Sequence, residues 1–143
     1  MAYRFLAAAV LALGVAGTAQ AADPVQGDWL TEGGSAKVRV APCAGNAATM
    51  CGTIVWLKGA KPGVVSKDVN NPDPALRSRP LMGLALIRDF KPAGPGKWKD
   101  GKIYDPSAGK TYASKISATA DGALKVEGCV SVICRAQTWK KAG

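Results

Sequence analysis

Arg135, Gln137 and Trp139 recur at every second position near the C-terminal end of this sequence. On an extended strand that spacing puts all three side chains on one face. A guanidinium, an amide and an indole turned toward a common interior make a polar and aromatic pocket for a small molecule. The alternative turns Ala136 and Thr138 inward instead. Two tyrosines, Tyr104 and Tyr112, flank Asp105-Pro106-Ser107-Ala108-Gly109 and offer hydroxyls to a binding face. The competing reading is a plain hairpin in which Asp105 caps its own turn, since Asp, Pro, Ser and Gly are turn formers. A third group holds Asn70, Asn71, Asp73, Arg77 and Arg79. Two guanidinium groups beside two amides suit an anionic or sugar-like group. Equally, Asn70 and Asp73 can cap turns while Arg77 pairs with Asp73 locally.

Other chemistry is excluded by what is missing. The chain of 143 residues contains no histidine. It therefore has no Ser-His-Asp or Cys-His machinery and no histidine-bound metal or haem. Asp68 with Asp73, and Asp100 with Asp105, are near in sequence, but neither spacing identifies a hydrolase. No nucleophile elbow, phosphate-binding loop or cofactor motif occurs. Four cysteines remain: Cys43, Cys51, Cys129 and Cys134. Three pairings are possible. Cys43–Cys51 and Cys129–Cys134 are favoured, because each pair brackets a turn-like segment. A four-cysteine zinc site lacks its usual C-x2–4-C spacing at the first pair.

These groups need elements to position them, and the first element is an address. Residues 1–21 carry Arg4, an apolar run from Phe5 to Ala16, and Ala19-Gln20-Ala21. Charge, short apolar core and small-x-small ending predict a cleaved signal peptide. Removing it leaves residues 22–143 as one domain with no further stretch of membrane-spanning length. An exported destination favours disulfides over metal. Lys and Arg number 19 against 10 acids, a net +9, and loss of Arg4 leaves +8. The lysines are scattered singly along the polar phase of strands. They suit a solvated surface or anionic envelope material rather than nucleic acid.

The remaining pattern has a period of two. Val38 and Val40 alternate with Lys37 and Arg39, and Leu124 and Val126 with Lys125 and Glu127. Cys51 to Lys58 is β-branched and aromatic, with Trp56 expected in the core beside Ile54. Trp98 to Asp105 is read as carrying a turn at Lys99-Asp100-Gly101-Lys102, and Asp121-Gly122 as a hairpin signal. About eight short strands with no convincing helix predict an all-β fold, an antiparallel up-and-down barrel, with a sandwich as its rival. One segment, 59–80, is long and holds four prolines. It reads as a functional loop or as a wrap over one barrel mouth, with Leu76 as a plug and a helical turn near Pro74-Ala75-Leu76-Arg77.

Several pieces together resemble a known family. They are Gly27-Asp28-Trp29, Cys51-Gly52-Thr53-Ile54-Val55-Trp56-Leu57, the run from Asp68 to Arg77, and Arg79-Pro80-Leu81-Met82-Gly83-Leu84. Gly101 to Tyr112, Gly128-Cys129 and Gln137-Thr138-Trp139 complete them. The sequence resembles the DUF2147 family of small exported bacterial proteins. The resemblance implies a lipocalin-like or streptavidin-like β-barrel and brings no established activity or catalytic residue. Gly27-x-Trp29 also resembles the first-strand motif of lipocalins. There the tryptophan packs at the closed end under an arginine from the far end of the chain, a role open to Arg135. The resulting expectation is a periplasmic or secreted, non-enzymatic barrel that binds a small ligand or an envelope component, without metal or cofactor. Two other readings stand beside it. One is an envelope module that binds protein or polysaccharide through its basic face, and the other is an unrecognised hydrolase-like enzyme. Oligomeric state is left open.

Overall fold

A computed structural model describes residues 22–143, with Ala9, Leu11 and Gly14 before them. The expected signal peptide, 1–21, otherwise lies outside the described residues. Eight strands follow one another: β1 (Gly27–Leu30), β2 (Ala36–Cys43), β3 (Asn46–Leu57), β4 (Ala85–Pro92), β5 (Lys97–Asp105), β6 (Lys110–Ala118), β7 (Leu124–Val130) and β8 (Ile133–Lys141). Each pairs antiparallel with the next, and β8 returns to β1, so the sheet closes into a barrel. Closure covers part of the edges that an open meander would expose, through two paired positions between β1 and β8. The sandwich is thereby ruled out. The helical turn expected in the long segment is a single 3-10 turn, Pro74–Leu76, capped by Asp73.

Alternation decides what faces inward. Val38, Val40, Ile87, Phe90, Ile116, Leu124 and Val126 are buried in one cluster with Trp29 and Trp139. Each such side chain contributes about 1.5–3 kcal/mol through burial. Two glycines make room for them. A Cβ on Gly52 would stand 2.5 Å from the Ile87 Cγ1, and one on Gly101 2.5 Å from the Phe90 ring. Both disulfides form as expected, Cys43 with Cys51 and Cys129 with Cys134.

Two local expectations are overturned by bulges. Asp100-Gly101 is not a turn. Strand β5 runs straight through it, with a register shift between Trp98 and Gly101 and a φ of 55° at Asp100. Trp56 is not in the core. Lys37 pairs with Trp56 but Val38 pairs with Ile54, so β3 carries one extra residue there. The extra residue reverses parity. Trp56 turns outward, 38% exposed, with the Lys37 ammonium 5.1 Å from its ring centre.

The two ends of the barrel differ. At one end the segment before β1 folds inward. Val25 is fully buried, and the Trp29 indole donates to the Val25 carbonyl at 2.9 Å. Lys141, not Arg135, lies over the Trp29 ring, at 4.8 Å. Arg135 is at the opposite end of β8, where the barrel is open.

Candidate functional site

The open end leads into a cavity of about 930 Å³. Ile54, Leu86, Ile103 and Trp139 form its apolar depth, and Tyr104 and Tyr112 line one wall. All three β8 positions singled out by their spacing, Arg135, Gln137 and Trp139, line it too. Register explains this. Leu124 faces Trp139, Val126 faces Gln137 and Gly128 faces Arg135, so the three share the inward phase of the hairpin. Trp139 is buried, while Gln137 and Arg135 nearer the mouth are exposed.

Hydrogen bonding sets the polarity of that mouth. The Trp139 indole donates to the Gln137 Oε1 at 3.0 Å. An indole only donates, so the amide turns its oxygen to Trp139 and leaves its NH2 for other partners. Both cavity-lining acids are already occupied. Glu32 accepts from the Thr138 backbone N–H at 2.7 Å. Asp105 accepts from the Ser107 backbone and hydroxyl, as a turn cap. The two cations that line the cavity, Lys67 and Arg135, make no ion pair among the described residues. The site therefore presents an apolar interior under a donor-rich rim, in which, among the described residues, Arg135 and Lys67 are free of ion pairs and the two carboxylates are engaged by backbone and hydroxyl donors.

The long segment forms part of the rim through Lys67, Val69, Asn70 and Leu81. It is held by Asp68, whose role nothing in the local sequence signals. The Asp68 carboxylate is buried and accepts from the Tyr104 hydroxyl at 2.5 Å, Asn71 Nδ2 at 2.8 Å and Arg79 Nε at 2.8 Å. The Arg79 guanidinium also stands 5.6 Å from the centre of the Tyr104 ring. Burial opposes the charge on Asp68. The three hydrogen bonds and the arginine outweigh burial and hold the carboxyl below its ordinary pKa. Burial, reinforced by the neighbouring carboxylate, pushes the Tyr104 hydroxyl up. Arg77 donates to the Asn71 carbonyl at 2.8 Å, and Asn70 donates to the carbonyls of Pro106 and Ser107 at 3.2 Å.

The nine candidate residues thus divide. Arg135, Gln137, Trp139, Tyr104, Tyr112 and Asn70 line one cavity. Asn71, Arg77 and Arg79 sit behind it and hold the long segment in place. Leu76 is 37% exposed and plugs nothing. The apolar depth at Ile54, Leu86 and Ile103, and Lys67 at the rim, were not singled out from sequence. From sequence alone, only Ile54 is assigned a face and none is placed across the barrel from Trp139. Cys43, Cys51 and Asp89 also approach one another, but both sulfurs are committed to the disulfide and make poor metal ligands.

A closed eight-stranded meander with an open, apolar-floored interior is a lipocalin-like architecture. It is similar to the solved structure of a protein from the human pathogen Helicobacter pylori described as belonging to the lipocalin family. The TM-score is 0.71 at 23% identity, over 82% of each chain. The family is more specific than the fold: the chain belongs to DUF2147, an uncharacterized protein conserved in bacteria, which matches residues 27–141. No curated protein sequence matches it.

Proposed function

We propose that this is an exported binding protein whose barrel takes up a small amphiphile, apolar body inward and anionic end at the mouth. The observation that carries the reading is the cavity of about 930 Å³, apolar at Trp139 and cationic at Arg135 along a single strand. That volume falls in the range of small-molecule sites. An anionic envelope component would match the unpaired Arg135 and Lys67 at the rim. Two disulfides suit an oxidising compartment outside the cytoplasm. Binding rather than catalysis is favoured by how the acids are used. Asp73 and Asp105 cap turns, Asp68 is locked under three donors, and Glu32 holds the Thr138 amide.

Native mass spectrometry of protein purified from the periplasm is expected to show a co-purifying small acid or acidic lipid fragment. Removing it and titrating a soluble anionic amphiphile should then restore a single bound molecule. Arg135→Glu should weaken that binding by roughly tenfold to a hundredfold, the worth of one charge-assisted hydrogen bond. Unchanged affinity in Arg135→Glu would remove the anionic end from the proposal.

A further inference from the structure

We infer that the open end of the barrel is a docking face for an anionic lipid surface. In a closed up-and-down meander, alternate connections fall at the same end. The β1–β2, β3–β4, β5–β6 and β7–β8 connections therefore surround the mouth, and the cavity lining includes residues from the first three and Val130 and Ile133 on either side of the fourth. The six most exposed large aliphatic side chains of residues 22–143 are Val64, Val65, Val69, Val130, Val132 and Ile133. All lie in the β3–β4 segment or the tip of the β7–β8 hairpin. Val132 is 92% exposed and Ile133 71%. Scattered exposed valines need no explanation, but six gathered at one end do. Among residues 22–143 the opposite end carries no exposed large hydrophobic.

Two further features favour a membrane as occupant. The hairpin tip is clamped by the Cys129–Cys134 disulfide, directly behind Val132. Val132 is thus held at the tip, with Val130 and Ile133 at the cavity's edge beneath it, and little further ordering is needed when the tip enters a bilayer. The same end presents Lys61, Lys67, Lys110 and Arg135, all exposed. Aliphatic tips among basic side chains, which outnumber the exposed acids Glu32 and Asp73 at this end, match an anionic headgroup layer with acyl chains beneath it. A second copy fits less well, because joining mouth to mouth would set these cations against one another. The inference does not depend on what fills the cavity.

Vesicle flotation tests it. The protein is expected to float with vesicles containing phosphatidylglycerol, to float poorly with phosphatidylcholine alone, and to be released by salt. Val65→Asp/Val132→Asp should reduce binding by roughly tenfold or more, with an unchanged melting temperature, since both positions are exposed and neither lines the cavity. Lys61→Glu/Lys110→Glu should reduce binding to anionic vesicles and leave the weak neutral binding as it was. Absence of flotation, or flotation unaffected by the aspartates, would overturn the inference. So would a dimer seen by light scattering that the aspartates dissolve, since the face would then belong to a second copy. Cavity occupancy is read separately with the soluble amphiphile, so either reading can fail while the other stands.

Discussion

Asp68 is the one carboxylate buried among the described residues, and its three donors come from Tyr104, Asn71 and Arg79. Its folded pKa is lowered. A depressed carboxyl stabilises the fold at every pH above its unfolded pKa of about 4 and loses that contribution as pH falls through the folded value. Acid should therefore release the long segment from β5. Melting temperature followed from neutrality to below about pH 4 is expected to fall in the wild type and to fall less steeply in Asp68→Asn. At neutral pH Asp68→Asn should itself cost about 3–5 kcal/mol, because it leaves Arg79 facing a neutral amide in a partly buried site. An equal acid slope in both proteins would show that another group carries the dependence. Tyr104→Phe removes one donor and keeps the ring, so it should cost about 1–3 kcal/mol and leave the aromatic cavity wall in place.

The long β3–β4 segment meets the β5–β6 turn at a point where only glycine fits. Gly109 has a φ of 65°, and a Cβ there would stand 1.9 Å from the Asn70 carbonyl oxygen. Gly109→Ala should therefore move the two connections apart and break the Asn70 contacts to Pro106 and Ser107. The expected result is a loss of about 1–2 kcal/mol from the left-handed backbone alone, with faster proteolysis in residues 59–67. Proteolysis at the wild-type rate would mean that the segment is held without this contact. The same element shows how far a sequence can be read. Strand phases, the Asp121-Gly122 turn, both disulfides and the shared face of Arg135, Gln137 and Trp139 were legible, since each depends on neighbours a few positions away. The bulges at Val55 and Asp100 were not, because an extra residue is defined by the partner strand. Arg77 and Arg79 looked like ligand groups because their partners are distant or unforeseen: Tyr104, which closes the Asp68 network, lies on another strand.

A closed barrel is only as closed as its last seam. Strands β2 and β3 share eight paired positions, whereas β1 meets β8 at two, Trp29 with Lys141 and Leu30 with Lys140. Beyond Leu30 the chain turns away, and the outer edge of β8 from Ile133 to Thr138 has no paired position on β1. The Glu32 carboxylate replaces part of the missing ladder by accepting from the Thr138 N–H. Thr31 and Glu32 line the cavity from one side of this seam, and Arg135 and Gln137 line it from the other. The seam is thus the cheapest place for the wall to part, and parting it opens the cavity sideways. Hydrogen exchange in the native state should find the β8 edge opening before the β2–β3 ladder. Glu32→Ala should speed exchange at the Thr138 amide by roughly tenfold, the equivalent of one hydrogen bond to a charged acceptor. Exchange within β2 and β3 should not change. If the seam also serves as an exit, the bound amphiphile should leave Glu32→Ala faster than it leaves the wild type. Faster exchange with an unaltered dissociation rate would confine traffic to the mouth, where the exposed valines stand.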